Sequence, residues 1–286
     1  MPAFPGWPND NHPPPAIPTF CPRFDVSKLI SITTAELNAL LAAFFWPLSR
    51  ILALIASAPI LGNPSVPLRI RIGLALAITL VVAPTLEPMP QVEPGSGAGL
   101  LILAQQIGIG LTMGFAIRIV FAAVEMAGEL IGLQMGLGFA TFFNPQSARD
   151  IPIIGSFLGL IAAMVFLTID GHLKVISLLA QSFIALPINA DGITASGLRT
   201  ITHWGGEIFL IGLRLSLPLL AALLITNLAL GILTRAAPQL NIFAVGFPLT
   251  LAIGLLALML TIPTFVPLLE PLLQDGLRMM MQMGKR

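Results

Sequence analysis

RIVFAAVEMAGELIGLQMGLGFATFFNPQSARDIP, running from Arg118 to Pro152, decides how this chain is read. Long apolar runs flank it on both sides. Within it, Arg118, Glu125, Glu129 and Gln134 fall on what reads as helix, and glycines recur at 128, 132, 136 and 138. An aromatic group, Phe139, Phe142 and Phe143, then closes on Asn144-Pro145, a pair that favours a turn. A charge at the centre of a bilayer costs at least ~2.5–3.5 kcal/mol on insertion scales, so charges in such sequence need partners or water.

Working outward, composition sets the class. The chain has 286 residues, 56% hydrophobic and 9% charged, with a mean hydropathy of +0.93. Soluble domains carry ~25% charged residues, so this composition specifies an all-α integral membrane protein. A net charge of +1 provides no basic surface for nucleic acid. The single cysteine, Cys21, can form no intramolecular disulfide, and His12, His172 and His203 have no second ligand at a metal-like spacing. No cofactor site is expected.

Residues 1–28 are proline-rich and lack the apolar core of a signal peptide, which predicts a disordered extension ahead of one membrane-embedded domain over 29–286. This extension can also be read as sequence upstream of the natural start. Thr33 and Glu36 form a capping box for a first apolar run ending near Ile60. A short second run, Ile72 to Ala83, follows a proline-rich turn carrying Arg69 and Arg71, and a polar linker spans Glu87 to Gly99. Leu100 to Val124, Ile153 to Ile169, Trp204 to Leu233 and Phe243 to Ile262 make six long hydrophobic segments in all. A shorter helix follows Asp170-Gly171-His172, and the tail forms another. Pro263 and Pro267 are expected to end the sixth segment. Counting arginines in the connections puts the C-terminus outside, although Arg278, Lys285 and Arg286 argue against that side. Either one segment is re-entrant or the helices do not all span.

Six ionisable residues lie in or beside apolar runs: Arg50, Arg118, Glu125, Glu129, Glu207 and Arg214. Three are positive and three negative, which permits complete internal pairing. A proton relay is the competing reading, and arginine, which holds its proton strongly, is a poor relay group. Gly110 with Gly114, and Gly128 with Gly132 and Gly136, form small-residue ridges that allow close helix approach within the chain or between subunits. The phenylalanines after Gly138 either anchor a helix end or close an opening by excluding water. In the C-terminal cluster, Pro238 stops a helix, Asn241 can cap the next, and Gly246-Phe247-Pro248 bends it early.

GELIGLQMGLGFATFFNP (Gly128 to Pro145), the following apolar helix with its DGH end, and APQLNIFAVGFP (Ala237 to Pro248) together resemble the FliR family of flagellar export proteins. TTAELNALLAAFFWPLSRI (Thr33 to Ile51) is similar to that family's opening helix. The resemblance implies a pore-forming export-gate subunit and no enzyme. It implies FliP-like and FliQ-like companions in the pore, FlhB-like and FlhA-like associates, passage of unfolded exported proteins, and a place in the bacterial inner membrane at the flagellar basal body. It also implies that a plug over Gln134 to Asn144 closes the channel, with Met135, Phe139, Phe142 and Phe143 as closing side chains and Gly136 and Gly138 between them. The equivalent subunit of virulence type III secretion systems is the near alternative. A small-solute transporter or ion channel is the alternative from another class, although the two related halves typical of many transporters are not evident in the sequence.

Overall fold

The computed structural model describes residues 34–86, 92, 95–138, 152–188, 195–237 and 242–282. The chain divides at Leu37/Asn38 into two compact units, and the second, Asn38–Arg286, holds the helical core. The residues expected to be disordered, 1–28, lie outside the described ones, as does the N-cap Thr33.

The described residues form seven α-helices and no strand: α1 (Thr34–Ser57), α2 (Leu68–Val82), α3 (Gly97–Gln134), α4 (Ile153–Thr168), α5 (Gly171–Ala185), α6 (Ala195–Ala236) and α7 (Ile242–Gln282). The all-α membrane class thus stands. Four of these helices (α2 with its short 3-10 extension, α3, α6 and α7) are long and apolar enough to cross a membrane. A fifth span exists if α4 and α5, bent by 66° at Ile169-Asp170, act as one.

Three boundaries differ from expectation for identifiable reasons. The third run and the charged stretch after it merge into the single 38-residue helix α3, because its charged residues recur along one face and never interrupt the other. Ser96 starts it, its Oγ accepting from Gly99 N at 3.1 Å. α2 begins immediately after Pro67, inside the turn, which takes Arg69 and Arg71 into its first turn. α7 continues through Pro248, Pro263, Pro267 and Pro271 to Gln282 instead of ending at Pro263. Proline removes one backbone donor, and neighbouring helices and hydroxyl side chains can re-satisfy the freed carbonyls. On the other face of α7, Phe265, Leu269, Leu273 and Leu277 are buried, and this packing holds the helix together past the prolines.

At ~1.5 Å per residue, α3, α6 and α7 are each about 57–63 Å long, roughly twice the ~30 Å hydrocarbon core of a bilayer. The topology conflict in the arginine count follows naturally from helices too long to be simple spans.

α3 is the axis of the fold. It packs against α6, α4 and α7 and against α1, and it supplies much of the main core, including Met113, Ile117, Val120, Val124 and Ile131. Trp204 on α6 donates its indole N–H to Ala116 O of α3 at 2.9 Å. Eight residues further along α6, a Cβ built on Gly212 would lie 2.9 Å from Ala123 O, so α3 and α6 run parallel. Gly254 and Gly276 of α7 meet Met135 and Val120 of α3 in reverse order, so α7 runs antiparallel to it.

Candidate gate segment and the buried arginine

The glycines explain why α3 can serve as the axis. A Cβ on Gly110 would collide with Arg50 O, and one on Gly114 with Ser57 Oγ, both on α1. One on Gly128 would collide with Gly155 Cα of α4, and one on Gly155 would lie 2.8 Å from Glu125 O. These ridges therefore serve packing within the chain. Gly132 differs, with its nearest neighbour, Ile154 Cγ1, at 3.7 Å, where a methyl group fits.

Arg50 is fully buried, and among the described residues no carboxylate lies within 4.0 Å of it. Its Nε donates to Gln106 Oε1 on α3 (2.8 Å) and its Nη1 to Ser182 O (3.0 Å) and Ser182 Oγ (3.2 Å). Its Nη2 donates to Leu186 O (2.9 Å), and the guanidinium lies 4.3 Å from the Phe183 ring centroid. Ser182 and Leu186 sit in the last turn and at the C-cap of α5. Ser182 O also accepts the Leu186 N–H at 2.9 Å, and Leu186 O lies past the last intrahelical bond; a helix C-terminus carries partial negative charge, so the end of α5 takes the place of a counter-ion. One side chain thereby ties α1, α3 and α5 together.

Among the described residues, none of the other five charged residues forms an ion pair within 4.0 Å. Arg118, Glu125 and Glu129 are exposed on α3, Arg214 is exposed and Glu207 half-buried on α6. Among the described residues, Arg278–Asp275 (3.2 Å) is the only ion pair within 4.0 Å. Arg118 with Glu125 and Glu207 with Arg214 share a face, but seven residues place them ~10.5 Å apart along the axis, whereas pairs three or four apart can meet.

At the end of α3, Gly136 N–H donates to Leu133 O and Leu137 N–H to Gly132 O, both at 3.0 Å. With Gly136 at φ 84°, this is a Schellman ending that needs a left-handed residue at this position. Met135, expected among the closing side chains, is instead fully buried. A Cβ on Gly254 would lie 2.5 Å from Met135 Cγ, and Thr250 Oγ1 donates to Met135 O at 3.4 Å. Met135 therefore packs against Gly254 and Thr250 of α7 where α3 ends. Gln134, Gly136 and Gly138 are half-buried at that end. Phe139, Phe142, Phe143 and Asn144 lie outside the described residues, as do Pro238 and Asn241. Gly246, Phe247 and Pro248 form part of the first turns of α7, with Gly246 buried and the other two exposed.

The sequence marks Asp170-Gly171-His172 as a break between helices, but shows neither its left-handed backbone nor the partners of Arg50. Asp170 adopts φ 55° at the α4–α5 bend, and a Cβ on Gly171 would lie 2.5 Å from Phe166 ring atoms. The Asp-Gly pair was the available signal. Arg50's partners, 56 to 136 residues away, left no local trace.

These features define an all-α membrane protein built around one tightly packed central helix that ends at an exit turn. The chain belongs to the family of bacterial export proteins, family 1, whose model matches residues 41–276. It is 49% identical over 232 residues to the flagellar biosynthetic protein FliR of Pectobacterium carotovorum subsp. carotovorum, covering 81% of this chain and 88% of that one. It is 45% identical over 247 residues to the protein of the same name from Escherichia coli (strain K12), covering 86% and 94%. Over 223 residues it is 30% identical to the one from Bacillus subtilis (strain 168), covering 77% and 85%.

Proposed function

We propose that this chain is a pore-forming gate subunit of the flagellar type III export apparatus, seated in the bacterial cytoplasmic membrane. FliP-like and FliQ-like subunits complete the pore, FlhB-like and FlhA-like proteins associate with it, and unfolded flagellar proteins pass through. The observation that carries this reading is the likeness to flagellar biosynthetic proteins over most of both chains; the same names favour the flagellar branch over a virulence system. The segment from Gly136 to Asn144 acts as the closure. Its physical support is the α3 ending: Met135 packed against α7, a left-handed pivot at Gly136, and then a run of small and aromatic residues suited to filling a narrow space.

Deleting the gene is expected to abolish export of filament protein, measured in culture supernatant; retained motility overturns the reading. Removing Gly136 to Phe143 is expected to make the membrane leaky to ions, measured as loss of membrane potential. Unchanged conductance removes the closing role and leaves the segment a packing element.

A further inference from the structure

α3 is the most enclosed of the long helices, yet one stripe along it is uncovered. Ile107, Leu111, Phe115, Arg118, Glu125, Glu129 and Leu133 follow each other at helical spacing and are all exposed. Their positions, three, four or seven apart, place them on one face. On one side α1 borders the first half of this face, where Gly110 meets Arg50 and Gly114 meets Ser57, and α4 borders the second half, where Gly128 meets Gly155 and a Cβ on Gly159 would lie 3.6 Å from Glu125 Oε1. α6 borders the other, where Gly212 meets Ala123 and Met126. The stripe is therefore the floor of a groove, apolar over Ile107 to Phe115 and net acidic over Arg118 to Glu129.

Neither surroundings of lipid nor of bulk water suit this floor. Two carboxylates against hydrocarbon are costly, while the apolar half, with Leu111 44% and Phe115 41% exposed, gains nothing from water. No basic side chain of the described chain lies within 4.0 Å of either carboxylate. Glu125 and Glu129, four residues apart, sit ~6 Å apart along the axis, close enough for one guanidinium or ammonium to reach both.

We infer that this groove is the seat of one helix from a different membrane subunit, apolar over two to three turns and carrying an arginine or lysine that sits between Glu125 and Glu129. The interface holds whether or not the Gly136–Asn144 segment closes a pore, and the leak measurement above tests that role separately.

The test uses the full-length chain in its native membrane, with Phe115 replaced by the photo-reactive benzoylphenylalanine. The expected product is a cross-link to a helix of another membrane protein, identified by peptide mass spectrometry, with a basic residue on the same face toward the Glu125–Glu129 end. Cross-links only to lipid, to a second copy of this chain, or back into this chain overturn the inference. The E125K/E129K double variant is expected to co-purify that partner at least about tenfold less, the loss typical of an opposed charge pair. Changing the partner's basic residue to Glu is expected to restore it. Undiminished co-purification overturns the inference, and where the double variant fails to accumulate, the cross-link from the otherwise unaltered chain decides.

Discussion

Replacing Arg50 by methionine tests the account of the buried arginine. Methionine keeps much of the side-chain volume, so little cavity forms. Removing a buried charge and filling its place with apolar atoms is often neutral or stabilising when both partners go. Here the partners cannot go. Ser182 O and Leu186 O are backbone carbonyls at the end of α5, and Gln106 Oε1 is buried on α3. Gln106 can reorient and Ser182 O keeps the Leu186 N–H as a donor at 2.9 Å, but Leu186 O cannot move and loses the guanidinium. An acceptor left unsatisfied costs ~1–3 kcal/mol, and the lost stacking on Phe183 adds to this, so the expected destabilisation is about 2–4 kcal/mol. Arg50→Lys is expected to lose roughly half as much, because one ammonium cannot span acceptors on two helices but can still serve the α5 end. The assay is unfolding of the purified, detergent-solubilised chain, followed by circular dichroism across a denaturant series, with wild type, Arg50→Lys and Arg50→Met side by side. Arg50→Met as stable as wild type refutes the reasoning, since it would mean that the α5 carbonyls need no donor.

Two further predictions rest on backbone geometry. Gly128→Leu is expected to separate α3 from α4 and destabilise the chain by ~1–3 kcal/mol or more, as overpacking does, whereas Gly132→Ala, with its open neighbourhood, stays within about 1 kcal/mol of wild type; equal effects at the two sites, in the same unfolding assay, contradict the packing assignment. Gly136→Val forces a β-branched residue into a left-handed conformation at a cost of at least ~1–2 kcal/mol, and it is expected to increase protease cleavage just after α3, read by limited proteolysis and mass spectrometry.

The helical membrane class was legible in composition alone, and the glycine spacing marked the seams of α3 before any contact was known. The helix stop near Gly136 was also written locally, as a glycine just past a periodic run. Other features followed rules that propensity does not contain. Pro263 reads as a breaker, yet α7 passes through it, because the buried face carrying Phe265, Leu269 and Leu273 continues beyond it. Met135 and Phe139 look alike as apolar residues near a glycine-rich end, and only the opposing Gly254 reveals that the first is packed against α7.

The charges show where the division lies. Counting three positive and three negative residues suggested pairing, and the sequence by itself established that each needed a polar environment. Which environment each obtained was decided in three dimensions. Arg50 meets the carbonyl end of α5, a partner with no charged side chain to announce it, while Glu125 and Glu129 are left on an open stripe. Sequence determines the cost of desolvating each group; the tertiary structure determines what compensates it, because hydrogen-bond partners from remote helices meet only once the helices have packed.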